Sequence, residues 1–382
     1  MIYYGKQSIN EDDIQEVVGV LRSDFLTQGP MIERFEKRVA DYCGAKYAVA
    51  VSNGTAALHI ACLAAGLGEG DVLWTSPITF VASANCARYC GADVDFVDID
   101  AGTYNMSVDI LEEKLRNARR KPKMVVPVHL AGQSCDMKRI HELAQEYGFM
   151  VMEDACHAMG ADYLGKKVGC CEFSDMAVFS FHPVKIVTTG EGGMILTNNE
   201  ELYQRLLLFR NHGITRDGNL MTHEADGPWY YQQLELGFNY RMTDIQAALG
   251  YSQMKRVDEF IARRRELAAR YENLLADLPV RTPQVLKGAE PSWHIYVVRV
   301  DFSQVRKSKQ QIFQEMHERG IALNLHYIPV HTQPYYVRMG HRLEENSMAM
   351  EYYQEAMTLP LYYDLTEEQQ DRISAALHAV VL

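Results

Sequence analysis

A lysine that stands between the end of an apolar run and a glycine-rich turn is the strongest candidate for chemistry in this sequence. The segment 178–193 reads VFSFHPVKIVTTGEGG, in which Ser180 closes the run and Lys185 follows five residues later. Glycines let the backbone approach a ligand closely, and Val184 and Ile186 make the surroundings of the lysine partly apolar. Such surroundings lower the pKa of a lysine and make its amine a nucleophile toward a carbonyl carbon. Taken alone, the segment is also compatible with a solvated surface lysine.

An acidic residue follows a second apolar run, in the segment VMEDACHAMG at 151–160. Asp154 stands where a strand would end, and His157 follows three residues later, close enough to share a pocket. A carboxylate at such a place can pair with a cation, bind a metal, hold a cofactor nitrogen, or merely cap a loop. This segment alone does not decide among those uses.

Two further segments carry weaker signals. The turn SNGTAAL at 52–58 opens an alanine-rich helix, and a helix N-terminus with small residues is a candidate anion site because its free N–H groups point outward. An ordinary N-cap gives the same pattern. Phe80 follows the next apolar run and is either a core residue or an aromatic ring that stacks on a ligand.

The elements that must position these side chains are indicated by a rhythm of short apolar runs and helical patterns. The runs lie at 47–51, 71–74, 94–97, 124–128, 149–152, 176–179 and 194–197, and the helical stretches between the early runs at 54–66, 79–90, 107–117 and 136–147. Strands that alternate with helices predict an α/β fold with a mostly parallel sheet. The ligand crevice of such a sheet opens at the carboxyl ends of its strands, where the candidate residues stand.

Helical patterns and a second, smaller α/β unit flank this region. The flanking helices are predicted at 11–22 and 31–43, and a single long charged helix at 242–278. The C-terminal unit has predicted strands at 294–300 and 321–325 and predicted helices at 307–319 and 366–380. We place the boundary near residue 250, which predicts a large domain over 1–250 and a smaller domain over 251–382.

Composition narrows the classes of function. The 382 residues carry a net charge of −12, which disfavours nucleic acid as a partner because phosphate neutralisation needs a basic surface. The eight cysteines follow no zinc-site spacing, so we expect no metal and reduced thiols in a cytoplasmic protein. The chain has no apolar run of about 18 residues that would span a membrane. Neither a nicotinamide-binding glycine fingerprint nor a P-loop is present.

The order of these motifs resembles the fold-type I pyridoxal phosphate enzymes, and among them the DegT-type sugar-nucleotide aminotransferases. The similarity extends from LTQGP at 26–30 to LPLYYDLT at 359–366. It implies an aspartate aminotransferase-like fold with a large domain and a smaller C-terminal α/β domain, and pyridoxal 5′-phosphate (PLP) as cofactor. It identifies Lys185 as the catalytic residue that forms a Schiff base with the cofactor.

The resemblance also implies roles for other residues. Asp154 corresponds to the acid that pairs with the pyridine nitrogen, and His157 stands near the cofactor's phenolic oxygen, where the family often has Gln. The family's phosphate ligands correspond to Gly54, Thr55, Ala56 and Ser180. Its ring-stacking aromatic residue corresponds to Phe80, and the residue that reaches into the neighbouring subunit's site corresponds to Asn239. Substrate-facing positions correspond to Tyr4, Leu26, Thr27, Asn324, His326 and Tyr327.

The segments around Lys185, at 210–217 and at 228–253 are most similar to the subgroup of this family that acts in pseudaminic acid biosynthesis. That similarity implies a UDP-linked 4-keto-6-deoxy-N-acetylhexosamine as acceptor, L-glutamate as amino donor, and a homodimer with shared active sites. Another UDP- or dTDP-linked 4-keto-6-deoxy sugar is the alternative acceptor. Two other functions remain as alternatives: a sugar dehydratase, which the presence of Lys185 disfavours because those relatives carry His there, and a non-catalytic PLP-binding regulator.

Overall fold

The predicted alternation of strands and helices is present in the structure, a computed structural model that describes residues 1–342 and 347–382. Helices α1 to α13 of these residues are, in order, Glu11–Leu21, Pro30–Cys43, Gly54–Ala64, Ala82–Tyr89, Val108–Asn117, Met137–Tyr147, Glu200–Arg210, Asp244–Gln253, Val257–Leu274, Lys309–Glu318, Pro334–Arg338, Met348–Glu355 and Glu367–Val381. Strands β1 to β15 are Tyr47–Val51, Val72–Thr75, Asp93–Phe96, Met124–Val126, Met150–Asp154, Asp162–Tyr163, Lys166–Lys167, Met176–Ser180, Gly193–Thr197, Ile214–Thr215, Gln232–Gln233, Val280–Arg281, Ala289–Glu290, Tyr296–Val300 and Ala356–Leu359.

The seven predicted runs form one central sheet in the order β1-β9-β8-β5-β4-β2-β3. Neighbours from β8 to β3 are parallel, whereas β9 is antiparallel to both β8 and β1. Strands β1, β2, β4, β5 and β8 therefore all end at the same edge. The prediction of an α/β fold with a mostly parallel sheet is confirmed.

Both faces of the sheet are buried, which explains why its strands read as continuous apolar runs. Val178 of β8 packs on the side of α3, α4 and α7, and its neighbours Ala177 and Phe179 pack on the side of α2 and α8. Because successive side chains of a strand point to opposite faces, each run supplies two cores at once. The strand ends that carry the candidate residues are thus held from both sides.

The single long helix predicted over 242–278 is wrong. The chain forms α8 and α9 as separate helices, with a tight turn in which the Arg256 N–H donates to the carbonyl of Gln253. The buried Asp13 bridges the two sides of the break, since its Oδ2 accepts hydrogen bonds from Gln253 Nε2 at 2.7 Å and from Arg256 at 2.6 Å.

The predicted strand at 321–325 is also wrong. This segment makes only isolated bridges, Ile321 with Ile2 and Asn324 with Thr358. The C-terminal sheet is instead β12-β14-β15, and its third strand was not predicted from the sequence. Strand β15 follows α12 without a break, because Ala356 both caps the helix and begins the strand, so no turn residues mark where it starts. The domain boundary near residue 250 remains a prediction.

None of the helices among residues 1–342 and 347–382 is long and apolar enough to cross a membrane. Within the same residues, no cluster of three or more His, Cys, Asp or Glu side chains could hold a metal ion.

Candidate active site

A cavity of about 760 Å³ lies at the edge where β1, β2, β5 and β8 end. It is lined by most of the residues predicted from the sequence: Lys185, Gly54, Thr55, Ala56, Phe80, Asp154, His157, Ser180, Tyr4, Asn324, His326 and Tyr327. Segments that are up to about three hundred residues apart in the chain therefore face one space. The roles implied for these residues remain predictions.

The turn before α3 is built for close approach of a ligand. Asn53 caps the helix, because its Oδ1 accepts a hydrogen bond from the Ala56 N–H at 2.8 Å. The N–H groups of Gly54 and Thr55 are in the first turn and have no acceptor within the helix. A Cβ atom on Gly54 would lie 3.0 Å from Ser180 Cβ, and one on Gly193 would lie 2.5 Å from the Asn53 carbonyl oxygen. Glycine at both positions brings the helix N-terminus beside the Ser180 hydroxyl, which suits a phosphate.

Lys185 reaches the cavity from the loop after β8. The backbone N–H of Lys185 donates a hydrogen bond to the His182 carbonyl at 2.9 Å, and this bond closes a turn directly after the strand. Burial lowers the pKa of the Lys185 amine, and the nearby Cys156 and Asp154 oppose this effect only in part. A lysine with a lowered pKa has a larger neutral fraction near neutral pH, and the neutral amine is the nucleophile and the base.

Asp154 is the last residue of β5 and is 5% exposed. Its Oδ2 accepts a hydrogen bond from Ser83 Oγ at 2.5 Å, and its Oδ1 accepts from the Cys156 N–H at 3.2 Å. The carboxylate is therefore held in one orientation at the cavity wall, with lone pairs left for a ligand. A fixed carboxylate of this kind suits a protonated ring nitrogen.

Aromatic and imidazole side chains form the opposite wall. The ring of Tyr4 lies 5.1 Å from that of His326, and the ring of Phe80 lies 6.3 Å from that of Tyr327. Phe80 is 58% exposed, so it is a side chain of the cavity mouth and does not belong to the core. Burial and the charge of Lys185 lower the pKa of His326 to about 3, so this imidazole is neutral at neutral pH.

Three predicted residues do not line the cavity of this chain. Leu26 and Thr27 lie beside the start of α8, where Thr27 forms a bridge with Thr243. Asn239 pairs with Asn211 and is exposed. All three are exposed in the isolated chain.

Sequence reasoning missed several residues of the cavity wall. Ser83 orients Asp154, Cys156 lines the cavity with Asp154 and Lys185, and His294 packs against His157 with 4.5 Å between ring centres. Cys156 stood in the segment that was singled out for Asp154. Ser83 and His294 had no local signal, because their places depend on how α4 and β14 meet the large sheet.

Comparison with known proteins places these observations in a family. The model of the DegT/DnrJ/EryC1/StrS aminotransferase family matches residues 7–378. The GDP-perosamine synthase of Caulobacter vibrioides is 40% identical over 357 residues, which are 93% of this chain and 91% of that protein. The UDP-4-amino-4,6-dideoxy-N-acetyl-beta-L-altrosamine transaminase of Campylobacter jejuni is 31% identical over 382 residues, which are 100% of this chain and 98% of that protein.

A solved structure supports the same family. The PMP form of Spr1654 from Streptococcus pneumoniae, described as a sugar aminotransferase, superimposes with a TM-score of 0.90 at 29% identity and covers 99% of this chain and 98% of that one. Members of the family bind PLP. The chain belongs to the DegT/DnrJ/EryC1/StrS family of sugar aminotransferases, and its cofactor is PLP.

Proposed function

We propose that this protein transfers the amino group of L-glutamate to the C4 ketone of UDP-2-acetamido-2,6-dideoxy-β-L-arabino-4-hexulose. The product is UDP-4-amino-4,6-dideoxy-N-acetyl-β-L-altrosamine. The observation that carries the aminotransferase part is that Lys185, Asp154 and the turn at Gly54 line one cavity. The choice of acceptor is supported by the motifs at 210–217 and 228–253 and by the full-length similarity to the Campylobacter transaminase.

The donor groups of the cavity fit a phosphorylated pyridine. The N–H groups of Gly54 and Thr55 and the Ser180 hydroxyl would hold the phosphate, since they meet where a Cβ on Gly54 would collide. Asp154 would hold the ring nitrogen in its protonated form, and Phe80 would cover the ring. When bound, PLP supplies an electron sink for the charge left on the donor's Cα after a proton is removed.

Lys185 moves the protons in this proposal. Burial lowers the pKa of its amine, which favours the neutral form, and in the first half-reaction Nζ would take the proton from Cα of L-glutamate and pass it to C4′ of the cofactor. In the second half-reaction the same atom would take a proton from C4′ and deliver it to C4 of the sugar. Tyr4, His326 and Tyr327 line the same cavity and would face the sugar ring.

The protein is further proposed to act as a homodimer with shared sites. Lys185 is the only lysine or arginine among the described residues that line the cavity, although a cofactor phosphate and a nucleotide diphosphate both need positive charge. Asn239 pairs with Asn211, which lines a groove together with Arg241 and the exposed Arg216. Trp229 and Leu236, in the same part of the chain, are 72% and 79% exposed. Such cations and apolar side chains fit the cavity mouth of a second copy.

Subunit mixing tests the shared site. A mixture of Lys185→Ala and Asn239→Ala chains is expected to regain about a quarter of wild-type activity after random exchange, because half of the dimers are mixed and each has one intact site. The matched control mixes Lys185→Ala with Asp154→Asn, both of which damage a chain's own cavity, and should regain nothing. Failure to regain activity after verified exchange, with Asn239→Ala alone inactive, would contradict the shared site.

The acceptor is tested with a panel of UDP-, dTDP- and GDP-linked 4-keto-6-deoxy sugars and L-glutamate, with the configuration of the product determined by NMR. We expect kcat/KM for the L-arabino UDP-sugar to exceed that for its D-xylo epimer by about 10⁴-fold, the scale on which a polar site rejects a mispaired analogue. Both epimers carry UDP, so the selection must come from contacts to the sugar, with Tyr4, His326 and Tyr327 as candidates. Equal values for the two epimers would defeat the choice of acceptor.

The GDP-linked sugar is the second candidate acceptor, because the GDP-perosamine synthase of Caulobacter vibrioides is 40% identical to this chain. A preference for the GDP- or dTDP-sugar would replace the acceptor and retain the aminotransferase. Bound PLP without turnover of any sugar would favour the regulatory alternative.

A further inference from the structure

The imidazole of His157 is held between a backbone N–H and a phenol. The Ala131 N–H donates to Nδ1 at 3.3 Å, and Nε2 lies 3.0 Å from the Tyr327 hydroxyl oxygen. A backbone N–H has a proton to give and no lone pair, so Nδ1 must be the unprotonated nitrogen. A neutral imidazole carries its proton on one nitrogen only, and in His157 that nitrogen is Nε2. The Nε2–H therefore donates to the oxygen of Tyr327.

The surroundings of His157 keep the ring in this neutral form. Burial lowers the pKa of His157 well below its usual value, and positive charge on Lys185 or His326 lowers it further. Protonation would also turn a second N–H toward the N–H of Ala131. The ring thus has one proton and one tautomer.

Ala131 itself is fixed by the C-terminal part of the chain. Its carbonyl accepts a hydrogen bond from the His294 N–H at 2.9 Å, and it holds a left-handed conformation with φ of 60°. The ring of His294 packs edge-on against His157, with 4.5 Å between ring centres. The donor to His157 Nδ1 is therefore held in place by the segment that contains His294.

These contacts determine the direction of the Tyr327 hydroxyl proton. Its hydroxyl oxygen accepts from His157, so its own proton must point elsewhere, and its only hydrogen bond among the described residues is the one to His157. Burial and the negative charge of Asp154 raise the pKa of Tyr327, so the proton is retained. Tyr327 lines the cavity, which is where the O–H is directed.

We infer that Tyr327 is a hydrogen-bond donor to a carbonyl or anionic oxygen of a ligand in the cavity, and that His157 is the positioning residue that fixes its direction. Both ring nitrogens of His157 already take part in hydrogen bonds, so His157 has no N–H left to donate to the cofactor. The contact with the cofactor's phenolic oxygen that the sequence predicts for His157 would then be made by Tyr327. The nature of the oxygen rests on the proposed function: it belongs either to PLP or to the acceptor sugar. The tautomer follows from the contacts alone.

The tautomer is tested first, in the ¹⁵N-labelled protein without PLP, by NMR of the imidazole nitrogens. Nδ1 of His157 should be unprotonated and Nε2 protonated near neutral pH. The same pattern should persist in Tyr327→Phe, because Ala131 sets it. A proton on Nδ1, or an imidazolium ring, would overturn the inference whatever reaction the protein catalyses.

Three single variants and one double variant test whether His157 acts through Tyr327. Glutamine can accept from Ala131 through its amide oxygen and donate to Tyr327 through its amide nitrogen, whereas leucine can do neither. The affected quantity is either the affinity for PLP or kcat/KM of the sugar half-reaction. We expect His157→Gln to keep it within a few-fold of the wild-type value. In His157→Leu and in Tyr327→Phe it should fall about 10- to 100-fold, the scale of a hydrogen bond to a charged group. The double variant His157→Leu/Tyr327→Phe should lose no more than Tyr327→Phe alone.

The property that changes in Tyr327→Phe shows whether the oxygen that accepts from Tyr327 belongs to PLP or to the sugar. If it belongs to PLP, Tyr327→Phe raises the Kd of PLP and shifts the pH at which the bound cofactor changes its absorption. If it belongs to the sugar, PLP binding and the glutamate half-reaction are unchanged, and kcat/KM of the sugar half-reaction falls. Wild-type values for all of these in Tyr327→Phe would overturn the assignment, as would a His157→Gln variant no better than His157→Leu. PLP binding and the NMR measurement remain readable even if no sugar is converted.

Discussion

Replacing Lys185 with alanine is expected to lower kcat for amino transfer by about 10⁴-fold, the upper end of what a positioned general base contributes. The same change should abolish covalent attachment of PLP to the chain. Both effects have one cause, since Lys185 is the amine that lines the cavity and whose pKa is lowered by burial. The measurements are steady-state kinetics and the mass of the Lys185 peptide after reduction with borohydride.

Lys166→Ala is the matched control. Lys166 is an exposed lysine at β7 that is paired with Glu172, and it lies outside the cavity. Its loss should change neither kcat nor the attachment of PLP, since an exposed ion pair contributes about 1 kcal/mol or less. A Lys185→Ala variant with normal turnover, or a borohydride adduct on another lysine, would refute the assignment.

The lowered pKa of Lys185 also predicts how attachment of PLP depends on pH. The neutral amine attacks the aldehyde of PLP, and its fraction rises as the pH increases through the pKa. Because burial lowers the pKa of Lys185, this rise should occur at a lower pH than for an exposed lysine. The rate of adduct formation with the protein lacking PLP, measured against pH, checks the direction.

Much of the site could be predicted because it depends on strand ends. Asp154 and Ser180 are the last residues of β5 and β8, and the turn at Gly54 follows β1. Apolar runs identify strands, and parallel strands of one sheet end at a common edge, so residues just after them converge. The chemistry of Lys185 could be predicted for the same reason, since its loop starts at such an end.

What could not be predicted depends on contacts between distant segments. The break between α8 and α9 is stabilised by Asp13, which lies more than two hundred residues earlier, while the local pattern is continuous. The bond from Ser83 to Asp154 and the bond from Ala131 to His157 likewise join separate loops. Periodicity within one segment has no information about such pairs.

Removing the charge of Asp154 is the second large effect. Asp154→Asn is expected to lower kcat by about 10²- to 10³-fold, the scale of losing one preorganised electrostatic contact, and to leave the free energy of unfolding within about 1 kcal/mol. Stability is preserved because the amide of asparagine can still accept from the Cys156 N–H and donate to Ser83 Oγ, which is itself bonded to Thr79 at 2.7 Å. Catalysis is not preserved, because a neutral amide does not keep the pyridine nitrogen protonated.

The preceding residue offers the matched control. Glu153 is as buried as Asp154 but points to the other side of β5, where its carboxylate accepts from Ser174 at 2.5 Å and from His129 Nε2 at 2.7 Å. Glu153→Gln should therefore lower the free energy of unfolding by about 1–3 kcal/mol and leave kcat unchanged. Steady-state kinetics and urea unfolding of both variants separate the two uses of a buried carboxylate in one strand. An Asp154→Asn protein with wild-type kcat would mean that Asp154, like Glu153, serves only the fold.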